Sequence, residues 1–267
     1  LDTASSFGGG ASEEMIGKLL IEMVDRRDMV IVTKAGVRRG PDGPRVDASR
    51  RALLADLDQS LIRLSTDHVD LFVVHSWDDS VPLAETLAAC EHLVTSGRAR
   101  YVGVAGYRGW QLARAGTLAE GTRAPIVAAQ TEFSLLARES HTDLAPAAQA
   151  LGAGVIGWSA LGRGVLTGKY RRGTPPDSRA ASEHFAAYVR PYLGGHSAQV
   201  VEAVTTAASG LDAVPAEVAV AWARDAPGIA SIVIGARTAS QLQVLLGAQD
   251  LVLPGPIRAA LDDVSSV

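Results

Sequence analysis

Short apolar runs alternate with helix-patterned segments along this chain. In residues 69–77, apolar, β-branched and aromatic side chains run up to His75. A run this short and this apolar is typical of a strand that is buried on both faces, as in a parallel sheet. A second run, residues 29–34, ends in the same way at Lys34. The pattern therefore predicts two buried strands, each followed by an ionisable side chain at its C-terminal end.

The same alternation extends over the rest of the chain. Further strands are predicted at 99–104, 126–131, 155–158 and 229–234, and helices at 12–20, 47–62, 82–95, 110–118, 142–151, 197–209, 215–226, 239–246 and 256–264. We predict Ser12 and Asp47 as the N-caps of the first two helices. Residues 38–45 and 171–195 are rich in Gly and Pro and are predicted to be loops, the second long enough to be functional.

Strands that alternate with helices predict a parallel α/β sheet. An open doubly wound sheet and a closed eight-stranded barrel both fit, but the open dinucleotide fold requires a G-x-G-x-x-G motif after a strand, and Gly8-Gly9-Gly10 lacks that spacing. We therefore predict one domain over residues 1–267, a parallel (β/α)8 TIM-type barrel. Residues 1–4 have the character of a strand end, so we expect the first strand and helix to precede Leu1, or a partner to cover the seam.

Composition narrows the class of protein. The 267 residues are 47% hydrophobic and 20% charged with a net charge of −4, and the basic residues are scattered, so no nucleic-acid partner is predicted. No apolar run reaches membrane-spanning length, which predicts a cytoplasmic protein without a membrane partner. The single Cys90 excludes an intrachain disulfide, and the histidines show no metal-ligand spacing, so no metal is assigned. The sequence leaves the oligomeric state open.

An ordered series of residues stands at the predicted strand ends. It comprises Asp2-Thr3-Ala4 with Gly8, Ser12-Glu13 through Gly17, Thr33-Lys34, Asp70-Leu71 with His75, Gly103-Val104, Gln130, residues 158–164 with 167–170, and residues 234–238 with Gln241-Leu242. This series resembles the aldo-keto reductase family and covers essentially the whole chain. The resemblance implies an eight-stranded α/β barrel in which NADPH delivers a hydride to an aldehyde or ketone.

Carbonyl reduction explains the residue types in this series. Hydride addition makes an alkoxide that must be protonated, and a tyrosine serves as the acid only when a nearby cation lowers its pKa. By resemblance, Lys34 is that cation, Asp2 holds it and His75 orients the substrate oxygen. The family tyrosine falls at Phe7, which keeps the ring and loses the proton donor. Phe7, His75 and Trp77 are the predicted substrate contacts.

Phe7 leaves three explanations open. The chain carries a deliberate Tyr→Phe substitution of a working reductase, or it is a naturally weak reductase in which His75 or a water donates the proton, or it binds the cofactor without turnover. Two further departures favour natural divergence. Ala105-Gly106 stand where the family commonly has Ser-Asn on the nicotinamide carboxamide, and Val244-Leu245 stand where Glu and Asn often contact the adenine.

The cofactor residues are also assigned by resemblance. Gln130 is predicted to contact the carboxamide, Trp158 to stack on the nicotinamide, and Arg237 to bind a 2′-phosphate, which favours NADP. The other predicted contacts are Ser159, Ala160, Leu161, Gly162, Arg163, Lys169, Gly235 and Gln241. We predict an NADPH-dependent oxidoreductase acting on an aldehyde, ketone or sugar carbonyl. The alternatives are a catalytically inactive nicotinamide-binding or regulatory protein, and a barrel that uses Lys34 and His75 in a non-redox reaction.

Overall fold

A computed structural model describes residues 1–40 and 43–266. They divide into two compact units, one formed by Leu1–Gln130 with Pro146–Gly154 and the other by Thr131–Ala145 with the described residues from Val155 onward. The single domain over residues 1–267 stays a prediction. Within the described residues, no helix combines the length and the apolar character needed to cross a membrane.

The elements are numbered along the chain. The strands are β1 (Val32–Ala35), β2 (Val37–Gly40), β3 (Gly43–Val46), β4 (Val69–Val74), β5 (Ala99–Ala105), β6 (Ile126–Glu132), β7 (Gly154–Trp158) and β8 (Ile229–Val233). The helices are α1 (Ala11–Glu22), α2 (Arg50–Leu64), α3 (Leu83–Thr95), α4 (Gly109–Ala119), α5 (Glu139–Ala150), α6 (Ala186–Val189), α7 (His196–Gly210), α8 (Pro215–Arg224), α9 (Ala239–Gly247) and α10 (Gly255–Ser265). The predicted strand and helix positions are thus confirmed to within a few residues.

The first unit contains a parallel sheet in the order β1, β4, β5, β6. Lys34 is in register with Val73, and Ala105 with Gln130, while the amide of His75 donates to the carbonyl of Ala35. Because parallel strands carry their C-terminal ends at one edge, Lys34, His75 and Gln130 lie at the same edge of this sheet. That edge is where active sites form in parallel α/β folds.

Strand β4 is buried on both faces, as its sequence predicts. All its residues except Asp70 are buried, and Phe72 and Val73 are completely inaccessible. Helix α2 packs against the sheet through buried leucines, among them Leu53 and Leu57. Full burial of each such side chain contributes about 1.5–3 kcal/mol to the stability of the fold.

The starts of α1 and α2 correct two predicted caps. Helix α1 begins at Ala11 after Gly10, whose φ of +102° ends the preceding turn, and the Ser12 hydroxyl instead bonds to the Thr3 hydroxyl at 2.8 Å. Helix α2 is capped by Ser49, which accepts from the amide of Ala52, so the prediction of Asp47 is wrong. Asp47 lies two residues earlier, where its carboxylate accepts from the amide of Ser49.

Helix α1 packs differently from its apolar pattern. Met15, Leu19 and Met23 are exposed, whereas Glu13 and Gly17 are buried. A Cβ atom at Gly17 would overlap the carbonyl oxygen of Arg63 in α2, so the two helices approach through a position that only glycine fills. The helical period is confirmed, but the buried face of this helix is the one with the small and acidic residues.

The predicted loop at 38–45 is wrong for its described part. Strands β2 and β3 form an antiparallel pair in which Val37 faces Val46 and Arg38 faces Arg45. Residues 41 and 42, at the centre of that predicted loop, lie outside the described residues. The signal that this interpretation overlooked is a Gly-Pro segment with a valine and at least one arginine on each side of it. The irregular character predicted for 171–195 is confirmed, since this segment contains only short helical turns.

The second unit is built around β7 and β8, which pair in parallel with Trp158 opposite Val233. Helix α8 is buried along almost its whole length. Its Trp222 stacks on Phe133 with the ring centroids 5.4 Å apart and the planes 18° from parallel. This aromatic pair anchors the core of the unit.

Candidate active site

Lys34 is the buried centre of the first unit's polar cluster. Its Nζ donates to Oδ1 of Asp2 at 2.6 Å and to the carbonyl oxygen of Thr3 at 2.8 Å. Burial lowers the pKa of Lys34, and the carboxylate of Asp2 opposes that shift. Asp2 reaches Lys34 because residues 1–5 run parallel to β1, with the amide of Thr3 bonded to the carbonyl of Val32. The structure thus brings the predicted lysine and aspartate together.

Phe7 lies beside this ion pair. The Nζ of Lys34 is 5.2 Å from the centroid of the Phe7 ring, within cation–π range. The ring also meets the imidazole of His75 edge to face, with centroids 6.0 Å apart. Phe7 is 41% exposed, so one side of the ring faces solvent. Asp2, Phe7, Lys34 and His75 therefore form one cluster, as predicted, and the hydroxyl-free ring occupies its accessible side.

His75 is largely buried at the end of β4. Burial lowers its pKa to about 4, the charge of Lys34 adds to that shift, and Asp2 opposes it. Its Nδ1 has no hydrogen-bond partner among the described residues. At neutral pH the ring is therefore an uncharged imidazole with one N–H donor and one free nitrogen.

Gln130 closes the cluster on the other side of Asp2. It is only 2% exposed, and its Nε2 donates to Oδ2 of Asp2 at 2.7 Å. The neighbouring Ala105 ends β5, and the amide of the next residue, Gly106, donates to the carbonyl oxygen of Gln130 at 3.3 Å. The amide nitrogen of Gln130 is thus engaged within the protein, and its contact with a carboxamide stays a prediction.

Sequence reasoning missed a second buried network behind Lys34. The fully buried Glu13 accepts from the hydroxyl of Thr33 and, at 2.7 Å, from Nε of Arg63. Thr33 directly precedes Lys34 in β1, and a Cβ atom at Gly10 would overlap the Arg63 side chain. The network therefore supports both the strand that carries Lys34 and the turn that carries Phe7. The only sequence signal was Glu13 itself, an acidic residue in the first turn of α1.

Trp77, two residues after His75, packs against two other aromatic side chains. Its ring meets Tyr107 at 5.1 Å and Trp110 at 5.5 Å, both edge to face, and its Nε1 donates to Asp79 at 2.6 Å. Tyr107 is buried and Trp110 is exposed. Trp77 is held rigidly by these contacts, and its role as a substrate contact stays a prediction.

In the second unit, the turn after β7 has an unusual backbone. Ser159, Gly162, Arg163 and Gly164 all have positive φ angles, two of them at residues other than glycine. The amide of Arg163 donates to Oγ of Ser159 at 3.0 Å, which stabilises the turn. Trp158 precedes this turn and is half-buried, and Ala160, Leu161 and Gly162 lie within it. Strained turns of this kind are concentrated at binding sites.

The Arg163 side chain is fully engaged. Its guanidinium forms a two-pronged pair with Glu132 at 2.9 and 2.6 Å and donates to the carbonyl oxygen of Tyr188. It also lies over the rings of Tyr188 and Tyr192, 3.9 and 4.5 Å from their centroids. Burial, followed by the charge of Glu132, raises the pKa of Tyr192 to about 12. Only the backbone of Arg163 therefore suits the predicted cofactor contact.

A cavity of about 400 Å³ lies beside Arg237 in the same unit. Its wall includes Arg179, Ser178 and Phe185 from the irregular segment 171–195. The buried hydroxyl of Ser178 has no partner among the described residues, and Nη2 of Arg237 donates to the carbonyl oxygen of Asp177. Arg179 and Ser178 were missed by sequence reasoning because a Gly- and Pro-rich segment gives no register for its side chains.

The remaining predicted cofactor residues are exposed in the second unit. The side-chain oxygen of Gln241 accepts from the amide of Arg237 at 2.9 Å, next to Gly235. Lys169 is exposed, with its Nζ 5.2 Å from the centroid of the Tyr170 ring. In the part of the chain that the structure describes, no group of three or more His, Cys, Asp and Glu side chains could hold a metal ion.

The chain is similar to proteins of one known family. The model of the Aldo/keto reductase family matches residues 1–265. The L-glyceraldehyde 3-phosphate reductase of Escherichia coli (strain K12) is 33% identical over 249 residues, covering 91% of this chain and 72% of that protein. A probable voltage-gated potassium channel subunit beta of Arabidopsis thaliana is 31% identical, covering 100% and 82%, and Protein tas of E. coli (strain K12) is 33% identical, covering 97% and 80%. The family match confirms the predicted α/β barrel fold class.

Proposed function

The chain belongs to the aldo/keto reductase family, a family of oxidoreductases, and we propose that it reduces an aldehyde, ketone or sugar carbonyl with NADPH. One observation carries this proposal: the ammonium of Lys34, paired with Asp2, lies beside the Phe7 ring and His75. A cation held in a largely buried cluster is suited to stabilise an oxyanion. The cytoplasmic location stays a prediction.

The proposed roles follow from the ionisation of each group. The Lys34 ammonium stabilises the alkoxide that forms when the carbonyl is reduced. His75 is uncharged at neutral pH because its pKa is lowered to about 4, so its N–H orients the carbonyl oxygen by a hydrogen bond. Phe7 packs against the substrate and donates no proton. Protonation of the alkoxide then comes from water admitted on the exposed side of the Phe7 ring.

The family generally uses a nicotinamide dinucleotide, which supplies the hydride when it is bound. The donors around the cavity in the second unit suit its phosphate end. Arg237, Arg179 and the unpartnered hydroxyl of Ser178 surround a space of about 400 Å³. Two guanidinium groups and a hydroxyl are a favourable donor set for a phosphate monoester. This supports NADPH over NADH, because only the former carries a 2′-phosphate.

The residues predicted for the nicotinamide end fit less well. Ala105 and Gly106 offer no side-chain donor, and the amide nitrogen of Gln130 is bonded to Asp2. We therefore expect the phosphate contacts to contribute most of the cofactor affinity. Backbone groups of the strained turn from Ser159 to Arg163 add the remaining contacts.

Phe7 also supports a second function from a different class. A protein that binds NADPH without turnover needs no proton donor, and the hydroxyl-free ring meets that description. Some relatives are named voltage-gated potassium channel beta subunits, such as the one of Arabidopsis thaliana. The second proposal is therefore a nicotinamide-binding regulatory subunit whose occupancy reports the cofactor pool.

One pair of measurements separates the two functions. NADPH binding is titrated by fluorescence in the chain as it stands and in Phe7→Tyr, and carbonyl reduction is assayed in both. The carbonyl panel includes glyceraldehyde 3-phosphate, because a relative is named as its reductase. Turnover in the unmodified chain supports the reductase and excludes the regulatory subunit. Binding in both with turnover only in Phe7→Tyr supports the regulatory subunit, and absence of binding in both rejects both proposals.

A further inference from the structure

The bond between Gln130 and Asp2 joins residues that are distant in the sheet. Asp2 lies beside β1, whereas Gln130 lies on β6, and β4 and β5 separate these strands in the sheet order. Gln130 is buried, and its Nε2 to Oδ2 distance of 2.7 Å is that of a strong hydrogen bond to a charged acceptor. A contact of this kind is not required for strand pairing, so its effect falls on Asp2.

We infer that Gln130 is a positioning residue that fixes the carboxylate of Asp2, and through it the ammonium of Lys34, in front of the Phe7 ring. One oxygen of Asp2 accepts from Gln130 and the other accepts from Lys34 at 2.6 Å. With both oxygens bonded, the carboxylate has a single orientation. The second hydrogen-bond acceptor of Lys34, the carbonyl oxygen of Thr3, completes the geometry at 2.8 Å.

This role differs from that of a cofactor ligand. The bond to Asp2 uses only the amide nitrogen of Gln130, so a contact from its oxygen to a carboxamide is compatible with it. The two roles nevertheless predict different effects. A cofactor ligand changes NADPH affinity and leaves the free protein unaltered, whereas a positioning residue changes the environment of Lys34 in the protein without cofactor.

Physical chemistry fixes the direction of each effect on Lys34. In Gln130→Met the carboxylate of Asp2 loses its buried donor and turns toward solvent, so the desolvated ammonium loses part of its compensation and its pKa falls. In Gln130→Glu a second carboxylate is placed beside Asp2, and the added negative charge near the ammonium raises the pKa of Lys34. The titratable groups that act on this site are Asp2 and His75.

The chain is well suited to this measurement because it contains only three lysines, Lys18, Lys34 and Lys169. Lysine labelled with ¹³C at Cε gives three signals, and Lys18→Arg and Lys169→Arg assign the third to Lys34. The signal is titrated in the full chain without cofactor, for the unmodified protein, Gln130→Met and Gln130→Glu. Circular dichroism and thermal unfolding confirm that each variant is folded.

We expect the Lys34 midpoint to move down by about 0.5–1 pH unit in Gln130→Met and up by a similar amount in Gln130→Glu. Opposite shifts from two substitutions of similar size exclude a general loosening of the fold, which would move both midpoints the same way. Unchanged midpoints, or shifts of the same sign, would overturn the inference. If Gln130→Met does not fold, an unchanged midpoint in Gln130→Glu overturns it alone.

The meaning of this positioning for catalysis rests on the proposed reductase function, but the titration does not. A carbonyl reductase assay on the same variants gives the second readout. Loss of kcat with unchanged NADPH affinity is expected if Lys34 acts on the alkoxide. If the Lys34 midpoints shift as expected and no variant reduces any carbonyl, the positioning role stands and the reductase proposal is rejected.

Discussion

The ammonium nitrogen of Lys34 lies 5.2 Å from the centroid of the Phe7 ring. A cation in this place is the feature that would stabilise the phenolate of a tyrosine, yet the ring carries no hydroxyl. The ion pair with Asp2 and the neighbouring His75 are nevertheless intact. The cluster therefore keeps the electrostatics of a proton-donor site without the donor itself, and this mismatch is directly testable.

Restoring the hydroxyl in Phe7→Tyr should increase carbonyl reduction by about 10²–10⁴-fold, the usual contribution of a positioned general acid. The hydroxyl would stand beside the Lys34 cation, which lowers the pKa of a phenol and makes it a better donor near neutral pH. The measurement is kcat from NADPH consumption with a panel of aldehydes and ketones.

The matched control for that substitution is Phe7→Leu, which keeps an apolar side chain and supplies no donor. It should not exceed the activity of the unmodified chain. A gain in Phe7→Leu similar to that in Phe7→Tyr would mean that space, and not a proton, limits the rate. No gain in Phe7→Tyr would show that Lys34 and His75 are not poised to assist a proton donor.

Much of this site was predictable from the sequence for a simple reason. Lys34 lies near the C-terminal end of β1 and His75 directly follows β4, and the parallel register places the ends of such strands at one edge. Asp2 was predictable only by resemblance, because an aspartate at the start of a chain carries no periodic signal. The bond from Gln130 to Asp2 spans 128 residues and leaves no trace in local patterning.

The fold, like the site, was predictable only where the local apolar pattern matches the burial. Strand β4 and helix α3 were predicted closely because their apolar patterns match their burial. Helix α1 packs through Glu13 and Gly17, since the hydroxyl of Thr33 and the guanidinium of Arg63 satisfy the buried acid. A hydrophobic pattern gives no information on such tertiary compensation, and so the apolar side of α1 was a poor guide to its buried face.

Removing one partner of the buried pair should be costly for stability. Lys34 and Asp2 have side chains that are 5% and 16% exposed, so Asp2→Asn leaves an ammonium buried without its counter-charge. We expect the free energy of unfolding at pH 7 to fall by about 3 kcal/mol. Urea unfolding followed by circular dichroism measures this change.

A double-mutant cycle tests the cause. Lys34→Met in the Asp2→Asn background removes the uncompensated charge and should restore most of the lost stability, because an apolar side chain of similar length fills the same space. If the double variant is less stable than Asp2→Asn alone, the loss comes from packing and the explanation by charge is wrong.

His75 should make the protein less stable in mild acid. Its pKa is lowered from 6.5 to about 4 in the folded chain, mainly by burial. Between these values the unfolded chain binds the extra proton, so the free energy of unfolding falls as the pH drops from about 6.5 to about 4. The free energy of unfolding falls by about 3 kcal/mol in total over this range. Above pH 6.5 His75 is uncharged in both states, and none of this stability is lost.

The check is a comparison of urea unfolding at several pH values between 7 and 4 for the unmodified chain and His75→Asn. Any stability advantage of the unmodified chain over His75→Asn should shrink or reverse as the pH falls from 7 to 4. The reason is that asparagine binds no proton in the unfolded chain. His92→Asn, an exposed position at the end of α3, is the control and should retain the pH dependence of the unmodified chain. Parallel curves for His75→Asn would rule out the lowered pKa.

Arg237 should discriminate between the two nicotinamide cofactors. It lines the cavity that also contains Arg179 and Ser178. If a 2′-phosphate binds there, Arg237→Ala raises the dissociation constant of NADPH about tenfold or more, the value of a charge-assisted hydrogen bond, and leaves that of NADH almost unchanged. Fluorescence titration of both cofactors measures this, with the exposed Arg172→Ala as control. An equal loss of affinity for NADPH and NADH would mean that the 2′-phosphate does not bind at Arg237.

Arg163 should restrain the segment 186–192 against local opening. Its guanidinium pairs with Glu132, bonds to the carbonyl of Tyr188 and lies over the rings of Tyr188 and Tyr192. Arg163→Lys keeps the charge but loses the planar fork that makes these contacts together. We expect local opening to become easier by about 1.5 kcal/mol, which accelerates chymotryptic cleavage after Tyr192 about tenfold.

That cleavage is measured by mass spectrometry under native conditions, where local opening limits the rate. Glu132→Gln should give an intermediate acceleration, because its amide keeps one acceptor for the guanidinium and removes the charge. The thermal midpoint should change little in both variants, since Arg163, Glu132 and Tyr192 are only partly buried. Unchanged cleavage with a lowered thermal midpoint would mean that Arg163 supports the whole unit instead of restraining this segment.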